Sequence, residues 1–109
     1  MALPHAQSGD VIDVRPLGAN LAQATSTALF KSEQLEVMRL ILPAGKKLLN
    51  HHVPGAITMH CLEGVVDVRA LQRTTPLQAG EMMYLNGGEP HELLARQDAS
   101  LLVTVALKP

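Results

Sequence analysis

The sequence predicts an all-β sandwich or barrel, and two observations carry this prediction. Turn-forming residues recur along the chain, at residues 43–45, 54–55, 63–64, 74–76, 79–80 and 86–90. The runs between them are rich in β-branched and aliphatic residues, which favour strands. These runs are too short for most helices, so sheets joined by tight turns are the expected architecture.

The strands follow from the apolar runs, taken in chain order. Several runs are apolar on both faces, as expected where one sheet packs on another. Residues 17–30 allow a helical turn, but Thr25-Ser26-Thr27 favours extended backbone, so we predict a loop followed by a short strand there. A further strand begins at His91, after a glycine-rich turn. The predicted strands are residues 37–42, 56–62, 65–70, 82–85 and 101–107.

Composition excludes several classes of protein. The chain has 109 residues, of which 47% are hydrophobic and 17% charged, so it is long and apolar enough for one folded domain. Phe30 and Tyr84 are its aromatic residues. Two aromatic side chains are too few for the stacking platforms of single-stranded nucleic-acid binders, and they leave an aliphatic core. A net charge of -1 without a basic cluster also argues against nucleic-acid binding.

The location of the protein is predicted from absent signals and one cysteine. No apolar run approaches the length of a membrane-spanning helix, and the first residues lack the pattern of a secretory signal. Cys61 has no partner for an internal disulfide and is expected to be a small buried hydrophobe. We therefore expect a cytoplasmic protein that binds neither membranes nor nucleic acid.

Histidines are the candidate functional residues. Five occur in this short chain. His51 and His52 end an apolar run, His60 lies within a predicted strand, and His91 opens another. Neutral imidazole is the commonest protein ligand for zinc, iron, copper and nickel. Histidines from neighbouring strands can converge in the mouth of a barrel and leave a coordination position open to a substrate.

Two glycine-bounded segments resemble the motifs of the cupin superfamily, the small RmlC-like jelly-roll barrels. In the first, Gly45 precedes His51 by five intervening residues, and Gly64 stands where the closing glycine belongs. In the second, Gly80 and five further residues precede Asn86-Gly87-Gly88-Glu89-Pro90-His91. The resemblance covers residues 40–107 and implies a double-stranded β-helix barrel over residues 35–109. It also implies a homodimer, in which an N-terminal strand from residues 1–34 is exchanged with the partner.

The chain departs from the family pattern at two of the four usual metal ligands. Val53 stands in place of the second histidine, and Ile57 or Thr58 in place of the glutamate. Of the usual set, only His51 and His91 carry over from the resemblance.

Two further histidines are candidate replacements for the missing ligands. If the turn at residues 54–55 shifts the strand register by one residue, His60 faces the barrel interior. We therefore predict a metal site of His51, His60 and His91. His52 alternates with His51 and is the reserve ligand, and Met82 and Tyr84 are expected beside the pocket.

Two functions follow from these expectations. In the first, a divalent transition metal ion (zinc, iron, nickel, copper or manganese) is held by the histidines and acts on a small-molecule ligand. The resemblance then implies an oxygenase or isomerase among other activities, since fold does not fix function. In the second, the barrel binds or senses a small metabolite without metal.

Overall fold

The structure is a computed structural model that describes residues 5–108, with the side chains of residues 50 and 51 excepted. Within that range the chain forms a short 3-10 helix, Gly18–Gln23, followed by nine strands. No helix of the described chain is long and apolar enough to cross a membrane. The strands are β1 (Thr27–Lys31), β2 (Leu35–Leu42), β3 (Lys47–His51), β4 (Ile57–Glu63), β5 (Val65–Ala70), β6 (Arg73–Gln78), β7 (Met82–Leu85), β8 (His91–Ala95) and β9 (Ala99–Ala106).

The strands form two antiparallel sheets, which confirms the all-β prediction and gives a jelly-roll barrel. The five-stranded sheet has the order β1-β2-β9-β4-β7, and the four-stranded sheet has the order β3-β8-β5-β6. The inner faces of the two sheets pack against each other, because alternate residues of each strand point to opposite faces.

The core between the sheets is aliphatic, as the composition predicts. Met59 and Leu101 are among its largest fully buried side chains, and they come from neighbouring strands of one sheet. Val66 and Val68 face them from the other sheet. Cys61 is fully buried in the same core, as expected, and this burial raises the pKa of its thiol.

One predicted turn is wrong. Thr74-Thr75-Pro76 was expected to reverse the chain, but these residues lie inside β6. The reversal occurs earlier, at Leu71 and Gln72, between the cross-strand partners Ala70 and Arg73. β6 lies at an edge of its sheet, where a proline is tolerated because its missing N–H leaves no ladder partner unsatisfied.

Residues 14–18, here called the N-terminal strap, lie across the outer face of the five-stranded sheet. The Nη2 atom of Arg39 on β2 donates to the carbonyl oxygens of Val14 and Arg15, each at 2.6 Å.

The prediction of a loop and a short strand over residues 17–30 is confirmed for the strand, which is β1. The predicted loop contains the 3-10 helix.

Glu63 holds the other end of the strap. Its carboxylate accepts hydrogen bonds from the N–H groups of Leu17 (2.9 Å) and Gly18 (3.1 Å) and from the hydroxyl of Ser100 (2.7 Å). Burial raises the pKa of Glu63, but these hydrogen bonds outweigh it, so the pKa lies below the usual carboxyl value. The ionised side chain therefore anchors the strap.

Candidate functional site

The two glycine-bounded segments meet at one end of the barrel. The N–H of Gly88 donates to the carbonyl of Val53 at 2.7 Å. A Cβ atom on Gly87 would lie 2.3 Å from the carbonyl oxygen of Pro54, which is closer than real side chains approach. Only glycine fits at this contact. The contact packs the turn before β8 against the turn that follows β3.

This packing places His51 and His91 side by side in the backbone. They are direct partners across the antiparallel β3–β8 ladder, after an irregularity in the register between Leu48 and His51. The structure thus brings together the two histidines that match the motif positions. The side chain of His51 lies outside the described residues.

The imidazole of His91 is buried and oriented. It is only 5% exposed and shares the inner face of β8 with Leu93 and Ala95, which belong to the core. Its Nδ1 atom lies 3.1 Å from the carbonyl oxygen of Glu89. Because a carbonyl oxygen only accepts, Nδ1 carries the proton of this hydrogen bond.

His91 is among the residues that line a cleft of about 550 Å³ at the end of the β5–β8 ladder. Two segments far apart in sequence form this cleft: the β5–β6 turn and the start of β8. Its polar side chains carry both signs of charge. The residues of interest in its lining are Arg69, Leu71, Gln72, Glu89, His91 and Glu92.

His60 lies on the other sheet and faces away from the barrel interior. On β4, Met59 and Cys61 pair with Val103 and Leu101 and point into the core, so the residue between them points outward. The prediction that His60 faces inward is therefore wrong. The turn at residues 54–55 does not produce the one-residue shift in register that the prediction required.

Met82 and Tyr84 lie on the same outer face as His60, and not at the cleft. They are the direct partners of His60 and Thr58 across the β4–β7 ladder. They are 64% and 60% exposed, because Met83 and Leu85 take the inward positions of β7. The Tyr84 hydroxyl donates to Oδ1 of Asn86. Contrary to the prediction, Met82 and Tyr84 therefore do not line the cleft that His91 lines.

His52, the reserve ligand, is exposed in the segment that follows β3. It is not among the residues that line the cleft beside His91. His52 therefore follows His51 in sequence but does not line the cleft.

The usual ligand positions of the resemblance are apolar here. Val53 packs against the core, and Ile57 is 5% exposed within it. Among the residues whose side chains are described, no group of three or more His, Cys, Asp or Glu could hold a metal ion. That statement does not cover His51. The predicted three-histidine set is not assembled, since His60 belongs to the outer face of the other sheet.

Sequence reasoning missed Arg69, Leu71 and Gln72 at the cleft. Their proximity to His91 depends on the pairing of β5 with β8, in which Arg69 is opposite Glu92. The turn that carries Leu71 and Gln72 has no sequence signal, because these residues stand where Asn-Gly or Gly-Gly is usual. The turn-forming residues at 74–76 predicted the reversal at the wrong place.

No protein-family model and no curated protein matches this chain. Solved structures do match it. A conserved protein of unknown function from Streptococcus pyogenes is 21% identical with a TM-score of 0.75, covering 100% of this chain and 96% of that one. A cupin superfamily protein from Desulfitobacterium hafniense is 14% identical with a TM-score of 0.78, covering 94% and 100%. An RmlC-like cupin from Desulfovibrio desulfuricans is 21% identical with a TM-score of 0.70, covering 96% and 100%. With the two-sheet barrel described above, these likenesses show that the chain is a small cupin-fold domain.

Proposed function

We propose that this chain binds a small molecule in the cleft beside His91. The observation that carries the proposal is an open cleft of mixed charge that His91 lines, together with the hydrogen bond that orients this histidine. The cleft volume of about 550 Å³ falls within the range of small-molecule sites. Such sites typically combine an apolar lining with a few convergent polar groups.

The charges around the cleft favour a ligand with both hydrogen-bond donors and acceptors. Arg69 supplies a cation that can only donate, while Glu89 and Glu92 supply carboxylates that accept. His91, whose Nδ1 lies 3.1 Å from the carbonyl oxygen of Glu89, adds a further polar residue to the lining. A polar organic molecule fits these groups better than a simple anion does.

A divalent transition metal ion between His51 and His91 is a second candidate. The supporting observation is their direct pairing across β3 and β8. Residues opposite each other in such a ladder have Cβ atoms about 4.5–5.5 Å apart, which is within reach of a shared ion. The Nδ1 hydrogen bond to a backbone carbonyl is also typical of metal-binding histidines. When bound, an ion would polarise a carbonyl or carboxylate of the ligand.

Small-molecule binding is tested with a library of organic fragments and ¹H–¹⁵N spectra of the full chain. We expect bound fragments to shift the amides of Arg69, His91 and Glu92, and His91→Gln to weaken their binding. The amide of His60, on the outer face of the other sheet, is the internal control and stays unshifted. If no fragment shifts the amides around His91, the proposal is wrong.

Metal binding is tested by elemental analysis and by titration with Zn²⁺ or Ni²⁺, using protein purified without a histidine tag. We expect binding in the wild type and loss in His51→Ala and His91→Ala. His60→Ala is the matched control and retains binding. Less than about a tenth of an equivalent in the wild type, with no uptake on titration, contradicts the metal candidate. Metal retained after both substitutions contradicts the choice of ligands.

A further inference from the structure

The turn between β5 and β6 has a backbone that its residues disfavour. Leu71 has a φ of 54° and Gln72 a φ of 63°, and they are the non-glycine residues with positive φ in the described chain. They form a two-residue hairpin loop between the partners Ala70 and Arg73. Such a loop, with positive φ at both positions, is normally built from Asn-Gly or Gly-Gly. Leucine is a poor residue for this conformation.

Core packing does not explain why leucine and glutamine occupy the turn. Leu71 is 57% exposed, and Gln72 is also exposed. Neither side chain belongs to the hydrophobic core. Both instead line the cleft beside His91, at the end of the ladder where Arg69 faces Glu92. Backbone strain of this kind often accompanies ligand sites, where the side chains matter more than the stability of the turn.

We propose that Leu71 and Gln72 form the wall of the cleft that determines which ligand it accepts. This inference rests on the proposed binding of a small molecule at His91. Leu71 supplies an exposed apolar surface, and the Gln72 amide both donates and accepts hydrogen bonds. The matching ligand is a small organic molecule with an apolar part next to a hydrogen-bonding group.

The tight hairpin also holds the wall in place before the ligand arrives. A two-residue turn closed by the partners Ala70 and Arg73 has little freedom, so binding need not order a loop. Pre-ordering of this kind reduces the entropic cost of binding. The strained turn thus holds the side chains of Leu71 and Gln72 at a fixed position in the cleft lining that they share with His91.

The test replaces the turn with the sequence that its backbone prefers. In the double variant Leu71→Asn/Gln72→Gly we expect an unchanged or higher Tm, because both residues suit positive φ. Binding of the fragments that shift the His91 amide in the wild type should weaken at least about tenfold, which corresponds to about 1.4 kcal/mol. Leu35→Asn, which removes an exposed leucine that does not line the cleft, is the matched control and leaves binding unchanged.

The outcomes separate this inference from the proposed function. If wild-type protein binds fragments at His91 and the double variant binds them equally well, the inference about the turn is wrong and the proposed function stands. If wild-type protein binds no fragment at His91, both are wrong. The single variant Leu71→Asn repeats the test with the glutamine intact, and it should selectively lose the fragments with the largest apolar parts.

Discussion

Gly87 and Pro54 are in contact so close that a Cβ atom on Gly87 would lie 2.3 Å from the Pro54 carbonyl oxygen. This contact joins the turn that precedes His91 to the turn that follows β3. It lies beside the point at which His51 and His91 pair across β3 and β8.

Gly87→Ala should therefore push the two turns apart. We expect a loss of about 1–3 kcal/mol in the free energy of unfolding, the usual cost of overpacking, and a shift of the His91 amide resonance. Gly88→Ala is the control: its position is open but has a φ of 79°, so it should cost about 1 kcal/mol through backbone strain alone. Urea unfolding and ¹H–¹⁵N spectra provide the measurements. A wild-type stability and spectrum for Gly87→Ala would contradict the contact.

Glu63→Gln should loosen the N-terminal strap. The substitution removes the charge that strengthens three hydrogen bonds, so we expect a loss of about 1–2 kcal/mol in unfolding free energy. The amides of Leu17 and Gly18, which donate to Glu63, should exchange faster with deuterium. Glu36→Gln, on β2 without such bonds, should change stability by less than about 0.5 kcal/mol. Equal exchange rates in Glu63→Gln and wild type would refute the anchoring role.

The same carboxylate predicts a dependence of stability on pH. Because the folded pKa of Glu63 lies below the usual carboxyl value of 4.5, its contribution is complete above that value. The contribution is lost as the pH falls below 4.5 and through the lower folded pKa. The stability difference between wild type and Glu63→Gln should therefore shrink in acid. Hydrogen bonds from Arg15 also lower the pKa of Asp13. Asp13 is present in both wild type and Glu63→Gln, so its contribution cancels in the stability difference between them. A difference that stays constant from neutral to acid pH would disprove this account.

Leu101 and Leu102 are neighbours on β9 with opposite orientations. Leu101 is fully buried between the sheets, whereas Leu102 lies on the outer face as the partner of His60. We expect Leu101→Ala to cost about 2–5 kcal/mol and Leu102→Ala about 1 kcal/mol, measured by chemical denaturation. Similar losses at both positions would show that the inner and outer faces of β9 have been assigned incorrectly.

The homodimer stays a prediction, and the N-terminal segment offers a way to test it. Val11 is 97% exposed in a single copy of the chain, an unusual environment for an aliphatic side chain near a covered sheet face. Light scattering should give a mass of about twice 11.7 kDa. Val11→Asp should shift it towards the monomer, while the nearby control Ser8→Asp should not. A wild-type mass near 11.7 kDa at micromolar concentration would rule the dimer out.

The sequence determined the class of fold and the residues of the inner face. Frequent turns between short aliphatic runs specify strands, and alternation within each run places residues such as Cys61 in the core. The spacing of the second glycine-bounded segment also located His91, because the turn that precedes a strand is encoded locally.

Only the tertiary structure decided which side chains share the site. A strand has a period of two, so the register of β4 against β9 alone decides that His60 faces outward. The cleft likewise depends on the pairing of β5 with β8, which places Leu71 and Gln72 beside His91. Turns and apolar runs are local properties of the chain, whereas register and sheet order are set by contacts between segments distant in sequence. That is why the sequence identified the histidines, and the fold determined which of them can act together.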